Sequence, residues 1–113
     1  MRLSIVIPVL NSEKTLPACL AAIAAQTLPR TDYEIVIADA GSSDRTVAIA
    51  RAAGVDVITA NPLRTGEAGK TAGIKAAHGE LIALVDSDNI LPDSTWLARM
   101  LVPFADPDVL ATE

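Results

Sequence analysis

Four short apolar runs alternate along the chain with stretches of helical periodicity. The runs are rich in Ile, Val and Leu, have the length of strands, and cover residues 3–9, 34–38, 55–59 and 81–85. Strands this uniformly apolar are covered on both faces, as in a parallel sheet whose helical connections form right-handed βαβ units. The pattern therefore predicts an α/β fold with a doubly wound, mostly parallel sheet. A further apolar run at 109–111 predicts the start of a fifth strand.

Helices are predicted in the segments that separate and follow these strands. Ser12 can cap the first helix, which runs to about Gln26 and repeats Leu16, Leu20 and Ile23 on one face. The other predicted helices cover about residues 43–53, 69–78 and 93–104.

The composition narrows the classes of function. The 113 residues suffice for one small domain, and half of them are hydrophobic, so the chain can bury a core. With a formal net charge of −5, no basic face and 3% aromatic residues, no nucleic-acid partner is expected. Cys19 is the single cysteine and is interpreted as a packed core thiol, which fits a reducing compartment. We find neither a signal peptide nor a membrane-spanning run, and we expect a cytoplasmic protein, including one held peripherally at the inner face of the membrane.

The triplet Asp86-Ser87-Asp88 directly follows the fourth predicted strand. Open α/β sheets bind their ligands beyond the carboxyl ends of the strands. Two carboxylates this close repel one another and are costly to desolvate unless a cation arrives. A hard divalent ion, Mg²⁺ or Mn²⁺, that holds a diphosphate suits such a pair. The alternative is a solvated acidic turn, because D-x-D is a common triplet.

Two further residues are predicted to lie where they can contact the same ligand. Asp39 ends the second strand and can accept a hydrogen bond from a nucleobase N–H or a ribose hydroxyl; alternatively, it caps the Gly41-Ser42 turn. Lys70 opens the third predicted helix, where it can meet phosphate beside free backbone N–H groups or remain a solvated lysine. His78, near the end of that helix, is expected to help satisfy its last carbonyls.

Five segments of the chain together resemble the inverting family 2 glycosyltransferases. Their order and spacing match, and they cover residues 4–11, 39–44, 69–74, 78–80 and 86–89. The resemblance implies a GT-A, Rossmann-like fold and an enzyme that transfers sugar to an acceptor hydroxyl with inversion. It also implies a nucleotide-diphosphate sugar donor, with a UDP-sugar favoured, an acceptor of unknown identity, and Mg²⁺ or Mn²⁺ as cofactor.

The same resemblance implies roles for individual residues. It assigns the metal to Asp86 and Asp88, with Asp88 the firmer ligand. The residues that it assigns to the nucleotide are Pro8 and Val9, which line the nucleoside pocket, and Asp39, which binds the nucleobase. Lys70 and Ser87 are also predicted to bind the nucleotide.

Three departures from the family's pattern concern the nucleotide more than the fold. Leu10 stands where the family usually has an aromatic residue that packs on the base. Ala40 replaces the second acid of the common Asp-Asp-Gly, and Lys70-Thr71 stands where an Arg-Asn pair is frequent.

The general base of the family lies beyond the last residue of this sequence, so no catalytic residue is assigned. We therefore expect residues 1–113 to be the nucleotide-sugar-binding half of a GT-A domain, truncated after about four to five strands. An open sheet edge predicts self-association unless a missing C-terminal part covers it. The alternative function is a non-catalytic nucleotide-sugar-binding fragment. A haloacid-dehalogenase-like phosphatase is disfavoured because only 25 residues follow Asp88.

Overall fold

The computed structural model describes residues 3–106, and its centre is a four-stranded parallel sheet. The strands lie in the order β3-β2-β1-β4, with all three pairings parallel. Their bounds are Leu3–Val9 for β1, Tyr33–Asp39 for β2, Val57–Ala60 for β3 and Leu81–Leu84 for β4. The predicted α/β architecture is confirmed, whereas the strand expected at 109–111 lies outside the described residues.

Four helices connect and follow the strands. They are α1 (Leu16–Ala24), α2 (Thr46–Ala52), α3 (Gly66–Ala76) and α4 (Trp96–Leu101), with single 3₁₀ turns at Arg30–Asp32 and Val102–Ala105. None of the helices within 3–106 is long and apolar enough to cross a membrane.

The start of α1 differs from the prediction that Ser12 caps it. The backbone carbonyl of Ser12 accepts hydrogen bonds from the N–H groups of Thr15 and Leu16, and the helix begins only at Leu16. Pro17 is tolerated because it lies in the first turn, where its missing N–H needs no partner. The Ser12 side chain is therefore free of any capping role and belongs to the loop after β1.

The main hydrophobic core lies on the face of the sheet that α1, α2 and α4 cover. Alternate residues of β1 and β2 point into it, as the two-residue period of a strand requires. Its fully buried members include Ile5, Ile7, Ile37, Leu16, Ile23, Ala50 and Leu97.

Helix α3 covers the opposite face and lies very close to β1. A Cβ atom at Gly73 would overlap Cγ1 of Val6, and one at Gly69 would lie 2.9 Å from Cβ of Pro8. The two glycines stand one helical turn apart and so present a continuous smooth strip to the strand. This contact makes the sheet doubly wound, as predicted.

Strand β4 departs from the expectation that every strand is covered on both faces. Ile82 and Leu84 are 38% and 50% exposed. They lie in register with Ser4 and Val6 of β1 and share the face that α3 covers further along the sheet. Helix α3 contacts β1, β2 and β3, so among the described residues this side of β4 stays open.

Candidate functional site

The carboxyl ends of β1, β2 and β4 meet at one edge of the sheet. Val9 and Asp39 are partners in the β1–β2 register, and the Val85 N–H bonds to the carbonyl of Val6 just past the end of β4. The loops that carry Asp39 and the D-x-D triplet therefore leave the same edge of the sheet, on either side of the loop that follows β1. The sequence predicted that they would share this edge.

Asp86 and Asp88 project from a tight turn after β4. The Asp86 N–H donates to Oδ1 of Asn89 at 3.1 Å, and the Asn89 N–H returns a bond to the Asp86 carbonyl at 3.0 Å. Both aspartates are exposed, and neither carboxylate has a hydrogen-bond or ion-pair partner within residues 3–106. Two hard oxygen donors without a competing cation are thus available at this point of the edge.

These carboxylates fit a divalent ion that a phosphate ligand completes. Residues 3–106 contain no group of three or more acidic, histidine or cysteine side chains that would hold a metal alone. Mg²⁺ commonly takes one or two carboxylates and fills its remaining positions with substrate phosphate and water. The donor set therefore suits a metal that arrives together with a diphosphate.

Cys19 of α1 lies beneath the same turn. Its Sγ donates to the Asp86 carbonyl across 3.7 Å, and the residue is buried. Burial, aided by the negative charge of Asp88, raises the pKa of the thiol to about 11. Cys19 is therefore a neutral packing residue at neutral pH, in agreement with the sequence-based interpretation.

The two oxygens of Asp39 have different surroundings. Oδ1 accepts two hydrogen bonds from Ser42, one from the backbone and one from the hydroxyl, and so caps the turn in which Gly41 has a φ of +96°. Oδ2 has no partner within residues 3–106. The structural role therefore uses one oxygen, and the other remains available to a ligand.

A cavity of about 540 Å³ opens beside Asp39 at the β3 side of the edge. Two arginines, Arg51 of α2 and Arg64 of the loop after β3, contribute to its wall. Asn61 also lines it, and that residue is 3% exposed.

Asn61 is a candidate ligand contact that sequence analysis missed. Its Nδ2 donates to the Thr65 carbonyl at 2.8 Å, which leaves Oδ1 as a buried acceptor without a partner in the described part of the chain. A buried polar atom without a hydrogen bond is costly, so Asn61 is unlike an ordinary loop residue. The available signal was its position one residue after the end of β3, at the same edge as Asp39.

Pro8 and Val9 are divided between the two faces of the sheet. Pro8 is half-buried and packs against Gly69 of α3 near the edge. The Val9 side chain is buried in the core on the other face, and its carbonyl accepts a hydrogen bond from the Ala40 N–H at 3.0 Å. Of the two side chains, that of Pro8 is the more accessible from the loops.

Lys70 does not open α3, so this part of the prediction is wrong. The helix begins at Gly66, where the Thr65 hydroxyl caps the Ala68 N–H at 3.1 Å. Lys70 therefore lies in the second turn, with Nζ 3.1 Å from Oε1 of Glu67. The contact is partly exposed, and a role of Lys70 toward phosphate stays a prediction.

His78 contacts Glu34 at the opposite, amino edge of the sheet, and the expectation that it caps α3 is wrong. Its backbone N–H donates to Oε2 of Glu34 at 2.5 Å, and its Nδ1 lies 3.0 Å from Oε1. The Ser4 hydroxyl donates to the same Oε2, and the Gly79 N–H donates to Ser4 Oγ. Burial alone would raise the pKa of Glu34, but these hydrogen bonds from Ser4 and His78 hold it below its usual value.

Comparisons with known proteins agree with this arrangement. The family model described as "Glycosyl transferase family 2" matches residues 4–112. The glycosyltransferase AglE of Haloferax volcanii is 32% identical over 101 residues, which are 85% of this chain and 33% of AglE. The chain thus spans about a third of the length of this relative.

Solved structures show the same fold with nucleotides bound. S. aureus TarS in complex with UDP superposes with a TM-score of 0.72 and 29% identity over 89% of this chain and 32% of that one. The mannosyltransferase PcManGT from Pyrobaculum calidifontis, in complex with GDP-Man and Mn²⁺, gives a TM-score of 0.84 and 28% identity over 96% of this chain and 33% of that one.

Proposed function

This chain belongs to glycosyl transferase family 2, and on that basis we propose that it binds a nucleotide-diphosphate sugar through a divalent metal, for transfer of the sugar to an acceptor hydroxyl with inversion. In this proposal, residues 1–113 are the nucleotide-sugar-binding half of a GT-A glycosyltransferase domain. The observation that carries it is the pair of unpartnered carboxylates, Asp86 and Asp88, at the edge where Asp39 also ends its strand.

Asp88, together with Asp86, would hold Mg²⁺ or Mn²⁺ against the donor diphosphate. The metal, when bound, supplies neutralising charge to the leaving nucleoside diphosphate. The structure of PcManGT in complex with GDP-Man and Mn²⁺ supports the use of such a metal.

The nucleoside would occupy the edge between β1 and β2. In this proposal, the free Oδ2 of Asp39 accepts a hydrogen bond from the base or the ribose. Pro8 borders the pocket with its side chain, and Val9, whose side chain is buried in the core, borders it with its backbone. Ser87 and Lys70 are proposed to bind the diphosphate. Lys70 would then replace its exposed contact with Glu67 by a contact with phosphate. The UDP bound to TarS supports a UDP-sugar, and the GDP-Man of PcManGT makes guanine the base to test against it.

Transfer of the sugar requires both this donor site and a general base. We assign that base to none of residues 3–106. The acceptor oxygen attacks the anomeric carbon from the face opposite the leaving diphosphate and loses its proton to that base. The described residues position the donor and hold the cation. A function that stops at donor binding, without transfer, is the alternative, and it uses the same residues in the same roles.

Calorimetric titration tests the proposal directly. UDP, GDP and dTDP are titrated into the protein with Mn²⁺ and then with a chelator, for the wild type, Asp88→Ala and the control Asp32→Ala. Asp32 is also exposed and lies just before β2, at the opposite edge of the sheet. We expect metal-dependent binding of one nucleotide that is lost in Asp88→Ala and kept in Asp32→Ala. If Asp88→Ala with Mn²⁺ binds only as weakly as the wild type in chelator, and both bind more weakly than the wild type with Mn²⁺, the metal assignment is supported. Undiminished binding by the wild type in chelator or by Asp88→Ala contradicts it.

A further inference from the structure

Ser12 connects three of the loops at the carboxyl edge, those that follow β1, β2 and β4. It is 8% exposed although it lies in a loop, and its backbone N–H donates to Oγ1 of Thr46 at 2.7 Å. Thr46 is itself fully buried and donates to Oδ1 of Asp44 at 2.5 Å. The β1 loop is thereby fixed to the start of α2 through Ser12.

The Ser12 hydroxyl faces the other way, toward the D-x-D turn. Its Oγ lies 3.1 Å from Oγ of Ser87 and 3.3 Å from the N–H of Leu10, which donates to it. Ser87 separates Asp86 from Asp88 and has no other side-chain hydrogen bond within residues 3–106. The two carboxylates have no partners of their own within residues 3–106. Two side-chain hydrogen bonds therefore tie this turn to the rest of the described structure: the weak one from Cys19 Sγ to the Asp86 carbonyl, and the Ser12–Ser87 contact, which is the one made by a side chain of the triplet.

The two hydroxyls can exchange donor and acceptor roles. A serine hydroxyl has one hydrogen and two lone pairs, so only one of the pair donates to the other at a time. Ser12 also lies 3.4 Å from the Leu10 carbonyl, to which it can give its hydrogen instead. When Ser12 donates to Ser87, the Ser87 hydrogen is free to bond a phosphate oxygen.

We propose that Ser12 is a positioning residue for the metal-binding turn: it acts through Ser87 to hold Asp86 and Asp88 in the arrangement that a metal–diphosphate complex requires. This inference rests on the proposed function. Ser12 touches neither the metal nor the nucleotide; it sets the geometry and hydrogen-bond polarity of the residue between the two ligands. When the protein already holds the metal-binding carboxylates in position, less free energy is lost in ordering them as the ion binds. We therefore expect Ser12 to affect the metal-dependent part of the nucleotide affinity.

The test compares nucleoside diphosphate affinity in Mn²⁺ and in chelator for four proteins. The four are the wild type, Ser12→Ala, Ser87→Ala and the double variant. A fifth protein, Ser94→Ala, is the serine-to-alanine control on an exposed loop. Losing one uncharged hydrogen bond should weaken binding in Mn²⁺ by about two- to tenfold in Ser12→Ala, with the affinity in chelator unchanged. Because Ser12 acts through Ser87, Ser12→Ala should cause no further loss in the Ser87→Ala background.

Each result has a distinct meaning. If Ser12→Ala loses the same nucleotide affinity in Mn²⁺ and in chelator, the inference is overturned, because such a loss would mean that Ser12 stabilises the loop in general. Full additivity of the two substitutions would overturn it as well. If Ser12→Ala does not fold, Ser12→Cys, which keeps a weak donor of similar size, must show the same metal-dependent loss. A wild type that gains no affinity from Mn²⁺ contradicts the metal part of the proposed function and the inference together, whereas a gain that is undiminished in Ser12→Ala contradicts the inference alone.

Discussion

Asp39 is bonded twice to Ser42 through a single carboxylate oxygen. Oδ1 lies 3.1 Å from the backbone nitrogen of Ser42 and 2.6 Å from its hydroxyl oxygen. The same side chain thus stabilises the turn after β2 and leaves Oδ2 for a ligand. Substitutions that affect the two oxygens differently can therefore separate folding from binding.

Asp39→Asn should weaken nucleotide binding more than it weakens the fold. An asparagine that keeps its oxygen toward Ser42 presents an N–H₂ group where Oδ2 stood, so an acceptor becomes a donor. We expect about 1.5–3 kcal/mol of lost nucleoside diphosphate affinity, the value of a hydrogen bond that involves a charged group. Calorimetry gives the affinity and thermal unfolding gives the stability. Ser42→Ala is the matched control, with a lowered melting temperature and retained binding; unchanged affinity in Asp39→Asn would assign Asp39 to the turn alone.

Glu34 should make the stability of the fold depend on pH in the acid range. The pKa of Glu34 is lowered in the folded state from its usual value of 4.5. Its contribution to stability is therefore complete above that usual value and is lost as the pH falls through the lower folded value. Glu34→Gln should cost about 1–3 kcal/mol at neutral pH, because Ser4 and His78 lose a charged acceptor. Urea unfolding at pH 7 and at a series of acid pH values measures this difference, which should shrink toward low pH.

The exposed Glu80, two residues after His78, is the control for Glu34. Glu80→Gln should leave the urea midpoint unchanged across the same range. A stability difference between the wild type and Glu34→Gln that persists at the lowest pH would show that packing, and not charge, accounts for the loss.

Gly73→Ala should destabilise the protein through a steric clash. The added methyl group would overlap Val6 Cγ1, so α3 must move away from β1. Overpacking of this kind typically costs about 1–3 kcal/mol in the free energy of unfolding. Gly66→Ala, where a Cβ meets nothing within 4 Å, is the control and should be neutral or stabilising. Partial recovery in the double variant Val6→Ala/Gly73→Ala would identify the clash as the cause, and an unaltered stability of Gly73→Ala would refute it.

The open side of β4 should promote self-association of the isolated chain. Ile82 and Leu84 are exposed on a strand whose outer edge has no partner among residues 3–106. Unpaired, apolar strand edges are sites of intermolecular pairing. Ile82→Lys should shift sedimentation toward the monomer, while Leu63→Lys, which removes a 75% exposed leucine from a loop, should not. A wild type that remains monomeric at high concentration contradicts the prediction.

The local pattern of apolar and polar residues was sufficient to predict the layers of the fold and the positions of the main loops. Runs of Ile and Val predict strands because these side chains favour the buried strands of a parallel sheet, although one side of β4 is exposed. Parallel strands necessarily bring Asp39 and the D-x-D triplet to one edge. The bounds of the helices were less accurate, because the starts of α1 and α3 depend on turns at Ser12 and Thr65 that involve carbonyl and hydroxyl groups rather than apolar spacing.

Contacts between residues distant in sequence could not be predicted in this way. Glu34 is separated by 30 residues from Ser4 and by 44 from His78, and nothing in its own strand indicates that the carboxylate is buried. The orphaned oxygen of Asn61 and the contact between Ser12 and Ser87 likewise arise only when the loops are brought together. Side-chain hydrogen bonds of this kind leave no periodic signal in the sequence.

The buried Glu34 cluster has a consequence for how the molecule fluctuates. At the amino edge, one carboxylate joins β1, β2 and the segment after α3, so opening any one of them there must break a charged hydrogen bond in the interior. The backbone amides of His78 and Gly79 should therefore be among the slowest in the chain to exchange with deuterium. We therefore expect larger thermal fluctuations at the carboxyl ends of the same strands. Binding of a nucleotide sugar at that edge should slow amide exchange in the loops without shifting the strands beneath them.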